Sequence, residues 1–265
     1  MVERMRTIKR DAYKIFSSVV AALFLREIQT RFGTQKMGYF WALFDAMLMV
    51  LVFAALKSLI AENAMPGIDF PVFLASGFLA FFMFKNIVNG LMGAFSANAA
   101  LFNYRQVKPF DTLVSRFFVE ILVSTMATLA FVGIGLYFDF DIAVENFAMV
   151  MAAVAWLALF AFGFGLFSAV LATFFETYAK VVRVIMTPLL FVSALMYTVE
   201  SLPPMLREII LYNPLVHFIE MIHGNYFVTL NTEYVDYGYM FYWTFIPLFV
   251  GLYLYRGSEK RIIAS

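Results

Sequence analysis

"PVFLASGFLAFFMFKNIVNGLMG" (residues 71–93) is the stretch on which the fold turns. No charge interrupts the run from Pro71 to Phe84, and Lys85 is the only charge before Gly93. A bilayer core is about 30 Å thick, and a helix needs about 20 mostly apolar residues to cross it. This stretch meets that length. The same test picks out five more: 39–60, 112–137, 146–174, 184–200 and 238–255. The composition agrees. The 265 residues are 63% hydrophobic and 14% charged, where an ordinary soluble domain is roughly half apolar and a quarter charged. The sequence therefore predicts an all-α polytopic membrane protein with six transmembrane helices.

The loops are sorted by charge. Before residue 39 stand Arg4, Arg6, Lys9, Arg10, Lys14, Arg26, Arg31 and Lys36. Arg105, Lys108 and Arg116, then Lys180 and Arg183, then Arg256, Lys260 and Arg261 mark alternate loops and the tail. The intervening loops hold Glu62, Asp69, Asp139, Asp141, Glu145, Glu200, Glu208, Glu220, Glu233 and Asp236, with Arg207 as a basic exception. By the positive-inside rule the basic side is cytoplasmic, which puts both termini inside and requires an even number of spans.

One domain, 1–265, accommodates all of this: an interfacial segment (1–37), spans one to five (39–200), outer-side short helices (201–237), and the last span with its tail (238–265). Residues 1–16 place Val2, Met5, Ile8, Ala12 and Ile15 on one stripe, as an amphipathic helix lying on an anionic leaflet does. They have no apolar core or cleavage site of a signal peptide. In "SLPPMLREIILYNPLVHFIEMIHGNYF" (201–227), Pro203 and Pro204 open one short helix. Asn213-Pro214 breaks it, and a second helix, 214–224, stops at Gly224. Both are too short to cross and read as re-entrant helices in the outer interface, where protein or water covers their ends.

Several chemistries are disfavoured. The chain has no cysteine, which removes disulfides and thiolate metal sites. His217 and His223, six apart, share no helical face for a metal. No G-x-x-x-x-G-K-[ST] loop is present, so ATP is not bound in that way. The glycines of "GIG" (133–135) and "FGFG" (162–165) read as close-packing positions. Charges at bilayer depth are costly and mark function by default. Asp45, Lys85 and Glu120 qualify. Lys85, with Asn89 one turn on and Phe78 and Phe81 nearby, offers a cation, an amide and rings, the set that binds sugars. An ion pair of Lys85 with Asp45 or Glu120 is the equal alternative.

Three features converge on a family. The amphipathic start runs into "LREIQTRFGTQKMGYFWALFD" (25–45), the loops are basic on one side, and the proline-broken "SLPPMLREIILYNPLVHFIEMIHG" (201–224) precedes the last span. Over its whole length the chain resembles the permease subunit of type-2 ABC exporters, polysaccharide branch, the KpsM-like capsular polysaccharide exporters. The resemblance implies a transport subunit without enzymatic activity or cofactor of its own. It implies a bacterial inner-membrane homodimer, surrounded by membrane lipid, that exports a lipid-linked polysaccharide. Two nucleotide-binding ATPase subunits would bind ATP and Mg. A periplasmic co-polymerase and an outer-membrane exporter would follow in a Gram-negative cell, and nucleic acid plays no part. The residues themselves offer Trp41 (or an interface anchor), Asp45 (or a partner of Lys85), Phe78, Phe81, Lys85 and Asn89 as path candidates, and Arg31 and Lys36 as the cytoplasmic entrance, of the exporter that the resemblance implies. In "SANAALFNYRQVKPFD" (96–111) it implies a coupling helix ended by Pro109, with Leu101, Phe102 and Tyr104 as an apolar plug and Arg105 and Lys108 facing ATPase carboxylates. "ETYAKVVR" (176–183) is a second candidate. Export of O-antigen, teichoic acid or a small lipophilic compound, and a membrane-embedded glycan or lipid enzyme, are the rival readings.

Overall fold

The computed structural model describes residues 12–33, 48, 68–104 and 106–264. The expected first span, 39–60, and most of the 1–16 stripe lie outside them. Every element among the described residues is helical. In chain order these are α1 (Ala12–Gly33), α2 (Phe70–Met92), α3 (Ala94–Asn98) running into a 3₁₀ stretch (Ala99–Asn103), and α4 (Pro109–Tyr137). There follow α5 (Phe147–Phe174), α6 (Glu176–Phe191), a 3₁₀ turn (Val199–Ser201), α7 (Pro204–Ile210), α8 (Pro214–Tyr226) and α9 (Tyr237–Ala264).

Local chemistry sets most of these starts. Proline stands in the first turn of α2, α4, α7 and α8, where its missing N–H costs nothing and its φ is already helical. The side chain of Asn146 accepts from Met149 N at 3.2 Å and that of Asn213 from Leu215 N at 3.1 Å, capping α5 and α8. Among the described residues three helices are long and apolar enough to cross a membrane: Phe70–Met92, Pro109–Tyr137 and Phe147–Phe174. They match the expected second, third and fourth spans closely.

Elsewhere the boundaries differ from the sequence reading. No single helix covers the whole of the expected fifth span, 184–200. The helix there starts at Glu176, carries Pro188 and ends at Phe191. At 1.5 Å per residue it is about 24 Å long. A turn then follows in which Ala194 takes φ 57°, a left-handed value that no helix continues through. The last helix extends past the expected 238–255 to Ala264, through Pro247. Pro109 opens α4 instead of closing a helix over 96–111, because the residue before a proline is driven to extended backbone, as Lys108 is (φ −102°, ψ 150°). The helix expected to stop at Gly224 runs on to Tyr226. A Cβ at Gly224 would sit 2.5 Å from Asn231 O, so this glycine makes room for the returning loop.

α5 is the centre of the bundle and packs on α9, α2, α8 and α6. It carries no charge along its length. Glycines bring its neighbours into backbone contact. A Cβ at Gly163 would lie 2.9 Å from Leu248 Cβ and 3.1 Å from Thr244 O, and one at Gly251 would lie 2.9 Å from Phe167 N. Gly165 seats Leu91 and Val88 of α2 in the same way. Trp156 Nε1 donates to Thr244 Oγ1 at 3.0 Å across the α5–α9 seam. Phe160 stacks on Phe218 of α8 at 5.1 Å and 3°, and on Phe84 of α2 at 5.1 Å.

The two ends of the bundle are distinct. Phe110 N donates to Tyr255 Oη at 3.3 Å, and Arg261 lies over the Phe174 ring at 4.8 Å, so the basic loops and the end of α9 share one end. At the other end Asp141 N donates to Asp69 Oδ2 at 2.5 Å, Tyr226 Oη donates to Ile142 O at 3.0 Å, and Glu145 N donates to Tyr226 O at 3.1 Å. The acidic loops gather there.

The glycine seam makes a paired prediction. Gly163→Ala should destabilise the detergent-solubilised protein by about 1–3 kcal/mol, the usual cost of overpacking. At Gly133 a Cβ meets nothing within 4 Å, so Gly133→Ala should be neutral or stabilising by up to about 1 kcal/mol. Thermal unfolding measures both; equal effects would contradict the seam.

Candidate functional site

The polar face of α2 is narrower than its composition suggests. Phe78 and Phe81 are fully buried in the core. The half-buried stripe runs instead through Phe82, Lys85, Asn86 and Asn89. The Lys85 ammonium lies over the Phe82 ring, 5.1 Å from its centroid, a contact worth more once desolvated. Asn89 Oδ1 is buried and accepts no hydrogen bond among the described residues. Of the path residues expected from sequence, the structure thus brings Lys85 and Asn89 to one stripe and turns Phe78 and Phe81 inward. Trp41, Asp45 and Lys36 lie outside the described residues, and Arg31 is placed on α1 by its backbone alone. Glu120, the third intramembrane charge, is buried on α4 against Gly90, where a Cβ would come 3.0 Å from Oε1.

At the basic end the segment after α2 turns back through α3 and its 3₁₀ continuation. Phe102 is buried against the bundle and Leu101 half-buried, while Tyr104 is 65% exposed and Lys108 is exposed. The expected three-residue apolar plug therefore reduces to Tyr104 on the surface; Arg105 lies outside the described residues. The Asp111 carboxylate accepts from Lys108 N at 2.9 Å and fixes the entry to α4. Residues 176–183 form the opening turns of α6, separated from α5 by Phe175 alone.

Arg116 was counted in the sequence only as one more basic-side cation. Its Nη1 donates to Gly90 O at 2.9 Å, and its Nε lies 3.2 Å from Glu27 Oε1 of α1, in ion-pair reach though poorly aligned for a hydrogen bond. Beside it Arg26 Nη1 donates to Asn98 Oδ1 at 3.3 Å.

The acidic end is stitched by polar contacts. Arg207, the basic exception in the outer loops, donates to Val199 O, Glu200 O and Leu202 O at 3.2, 2.8 and 3.1 Å and to Tyr234 Oη at 2.8 Å, with its guanidinium 4.6 Å from the Tyr234 ring. The planar fork of arginine suits such multiple acceptors. Its position among acids was the available sequence signal. Asp236 N donates to His217 Nδ1 at 3.1 Å, so His217 Nε2 carries the proton and donates to Leu211 O at 2.9 Å. Both ring nitrogens of His217 are thus engaged in hydrogen bonds. His223 stacks on Phe73 at 4.2 Å, and burial holds its pKa down to about 3, so it stays neutral. Glu220, one turn before it, is buried with Oε2 unpartnered. Burial pushes its pKa up to about 7, opposed by the Val199 N–H and assisted by Glu200.

Residues 18–227 match the model of the family described as ABC-2 type transporter. The chain is 35% identical over 260 residues to a polysialic acid transport protein KpsM of Escherichia coli, covering 97% of this chain and 99% of that one. It is 30% identical to the capsule polysaccharide export inner-membrane protein CtrC of Neisseria meningitidis serogroup A, covering 99% of both. It is 27% identical to the corresponding protein BexB of Haemophilus influenzae, covering 97% of both.

The buried carboxyl at Glu220 makes stability depend on pH. Its folded pKa lies above the ordinary 4.5, so its contribution is fully present below pH 4.5 and is lost as pH rises through 7. The span of the effect is on the order of 3 kcal/mol. Thermal unfolding from pH 5 to 8 should show this loss, and Glu220→Gln should flatten the profile; an unchanged profile would assign the dependence elsewhere.

Proposed function

The chain belongs to the ABC-2 type transporter family, and from that premise we propose that it is the membrane subunit of an ATP-driven exporter of capsular polysaccharide. The observation that carries the reading is the extent of the likeness: it spans 97% of this chain or more in relatives named for capsule or polysialic acid export. Both the basic-end loops and the acidic-end stitching lie within it. A transport subunit of this kind does no chemistry of its own. ATP and Mg would be bound by two copies of a separate ATPase chain.

The basic end faces the cytoplasm in this reading, with both termini there and six spans in all, and α7 and α8 lie re-entrant at the outer side. The exposed Tyr104 and Lys108 and the opening of α6 present the surface on which the ATPase subunits seat. Two copies of the chain enclose the path, in the inner membrane of a bacterium. A co-polymerase and an outer-membrane exporter receive the polymer beyond it. The stripe of Lys85 and Asn89 supplies the polymer's polar contacts: a cation for acidic sugars and an amide for hydroxyls. Asn89 Oδ1, buried without a partner, carries a desolvation cost that a sugar hydroxyl would relieve.

In cells expressing the ATPase partner, Lys85→Ala should lower polymer export at matched expression while the ATPase still co-purifies. Tyr104→Ala should weaken that co-purification. Normal export with Lys85→Ala would remove Lys85 from the path, and failure of the unsubstituted chain to co-purify with any ATPase would overturn the exporter reading.

A further inference from the structure

Four helices meet in one polar knot at the basic end. α2 finishes at Met92, and its last carbonyls have no partner within the helix. One of them, Gly90 O, is taken by Arg116 Nη1 at 2.9 Å from α4. The guanidinium is also a cation at a helix C-terminus, where the helix dipole favours it. Glycines leave room around it: a Cβ at Gly93 would come 3.2 Å from Arg116 Nη1, and one at Gly90 would come 3.0 Å from the neighbouring Glu120 Oε1. Gly93 is also the joint at which the chain leaves α2 and enters α3.

α1 reaches this joint from outside. Its Glu27 lies 3.2 Å from Arg116 Nε, with both side chains largely buried, and its Arg26 reaches Asn98 Oδ1 of α3 at 3.3 Å. Neighbouring residues on a helix point about 100° apart, so two consecutive side chains tie α1 to two different elements at once. Asn98 is itself buried and braced by its own bond to Ala94 O at 2.9 Å. Apolar contact of α1 with α4 alone would allow rotation or sliding. Two directed polar contacts at one end remove both freedoms.

We infer that Arg116 is a positioning residue that makes α1, the α2–α3 joint and α4 move as one body, so that a displacement imposed on residues 94–103 is delivered to α1 as well as to the spanning helices. The inference rests on the exporter reading, since it takes the ATPase as the source of the displacement. It adds that the interfacial helix is driven from inside this chain, through Glu27–Arg116 and Arg26–Asn98.

The chain contains no cysteine, so introduced pairs can be labelled without background. Spin labels at exposed Ser18 on α1 and Ser96 on α3, with a third site at Glu233 on the acidic end, would be measured pairwise in the full complex with its ATPase, with and without a non-hydrolysable ATP analogue. In the unsubstituted complex the Ser18–Ser96 distance should stay constant while both shift against Glu233. Glu27→Gln should make the Ser18–Ser96 distance nucleotide-dependent, leave ATP hydrolysis near its original rate and lower export by at least about five-fold; Glu27→Asp should restore most of it. If Glu27→Gln does not assemble, Arg26→Gln, which removes only the Asn98 contact, should give the same split between hydrolysis and export. A constant Ser18–Ser96 distance with normal export in these variants overturns the inference. An unsubstituted complex without ATP hydrolysis overturns the exporter reading itself, before any variant is compared.

Discussion

The backbone of α5 touches that of α9 at Gly163 and Gly251, and the rest of the molecule is arranged around that contact. Lipid tails are as apolar as the helix surface, so burial gives helices little reason to associate in a bilayer; close van der Waals approach does instead. Glycine permits it at the α5–α9 seam, and again where Gly165 receives Leu91 and Val88 of α2. Once α5 is held between these neighbours, Phe160 is presented to Phe84 on one side and Phe218 on the other. α8 is thereby pinned against the spanning helices although it is too short to cross.

At each end of the bundle one arginine is bonded to backbone carbonyls. Arg207 gathers the turn at 199–202 and Tyr234 into one local unit at the acidic end. Arg116 does the opposite at the basic end: its partners belong to separate helices, α1 and α2. The first arrangement makes a self-contained cap. The second makes a linkage between elements, which is what a chain must have if force applied at one loop is to reach the membrane. Between the ends, Lys85 and Asn89 lie on a half-buried stripe of α2 and Glu120 is buried on α4.

The spans at 71–93, 112–137 and 146–174 were legible because long uncharged runs are bounded by prolines and acids, and the structure starts and ends its helices within a few residues of them. The region after Phe175 was not. There an apolar run hides a helix that starts early, and Ala194 turns the chain with no glycine to announce it. Apolar side chains also do not declare whether they face lipid, core or partner. Phe78, Phe81 and Phe102 were read as surfaces for substrate or ATPase and are packed inside. Of the charged candidates, Lys85 is half-buried on α2 and Glu120 is buried on α4. Arg116 and Glu27 are far apart in the chain, so no local pattern showed that they meet. The family was legible from the ordering of segments, which survives errors in single boundaries.

The proposed movement of unaltered capsular polymer across a membrane by this chain and an ATPase is open to a direct measurement. Inverted membrane vesicles holding both chains, supplied with labelled lipid-linked capsular polysaccharide, test it directly. Polymer should become protected from an external depolymerase only when ATP is present and both chains are intact. Protection without ATP, or covalent change of the polymer by this chain alone, would contradict it.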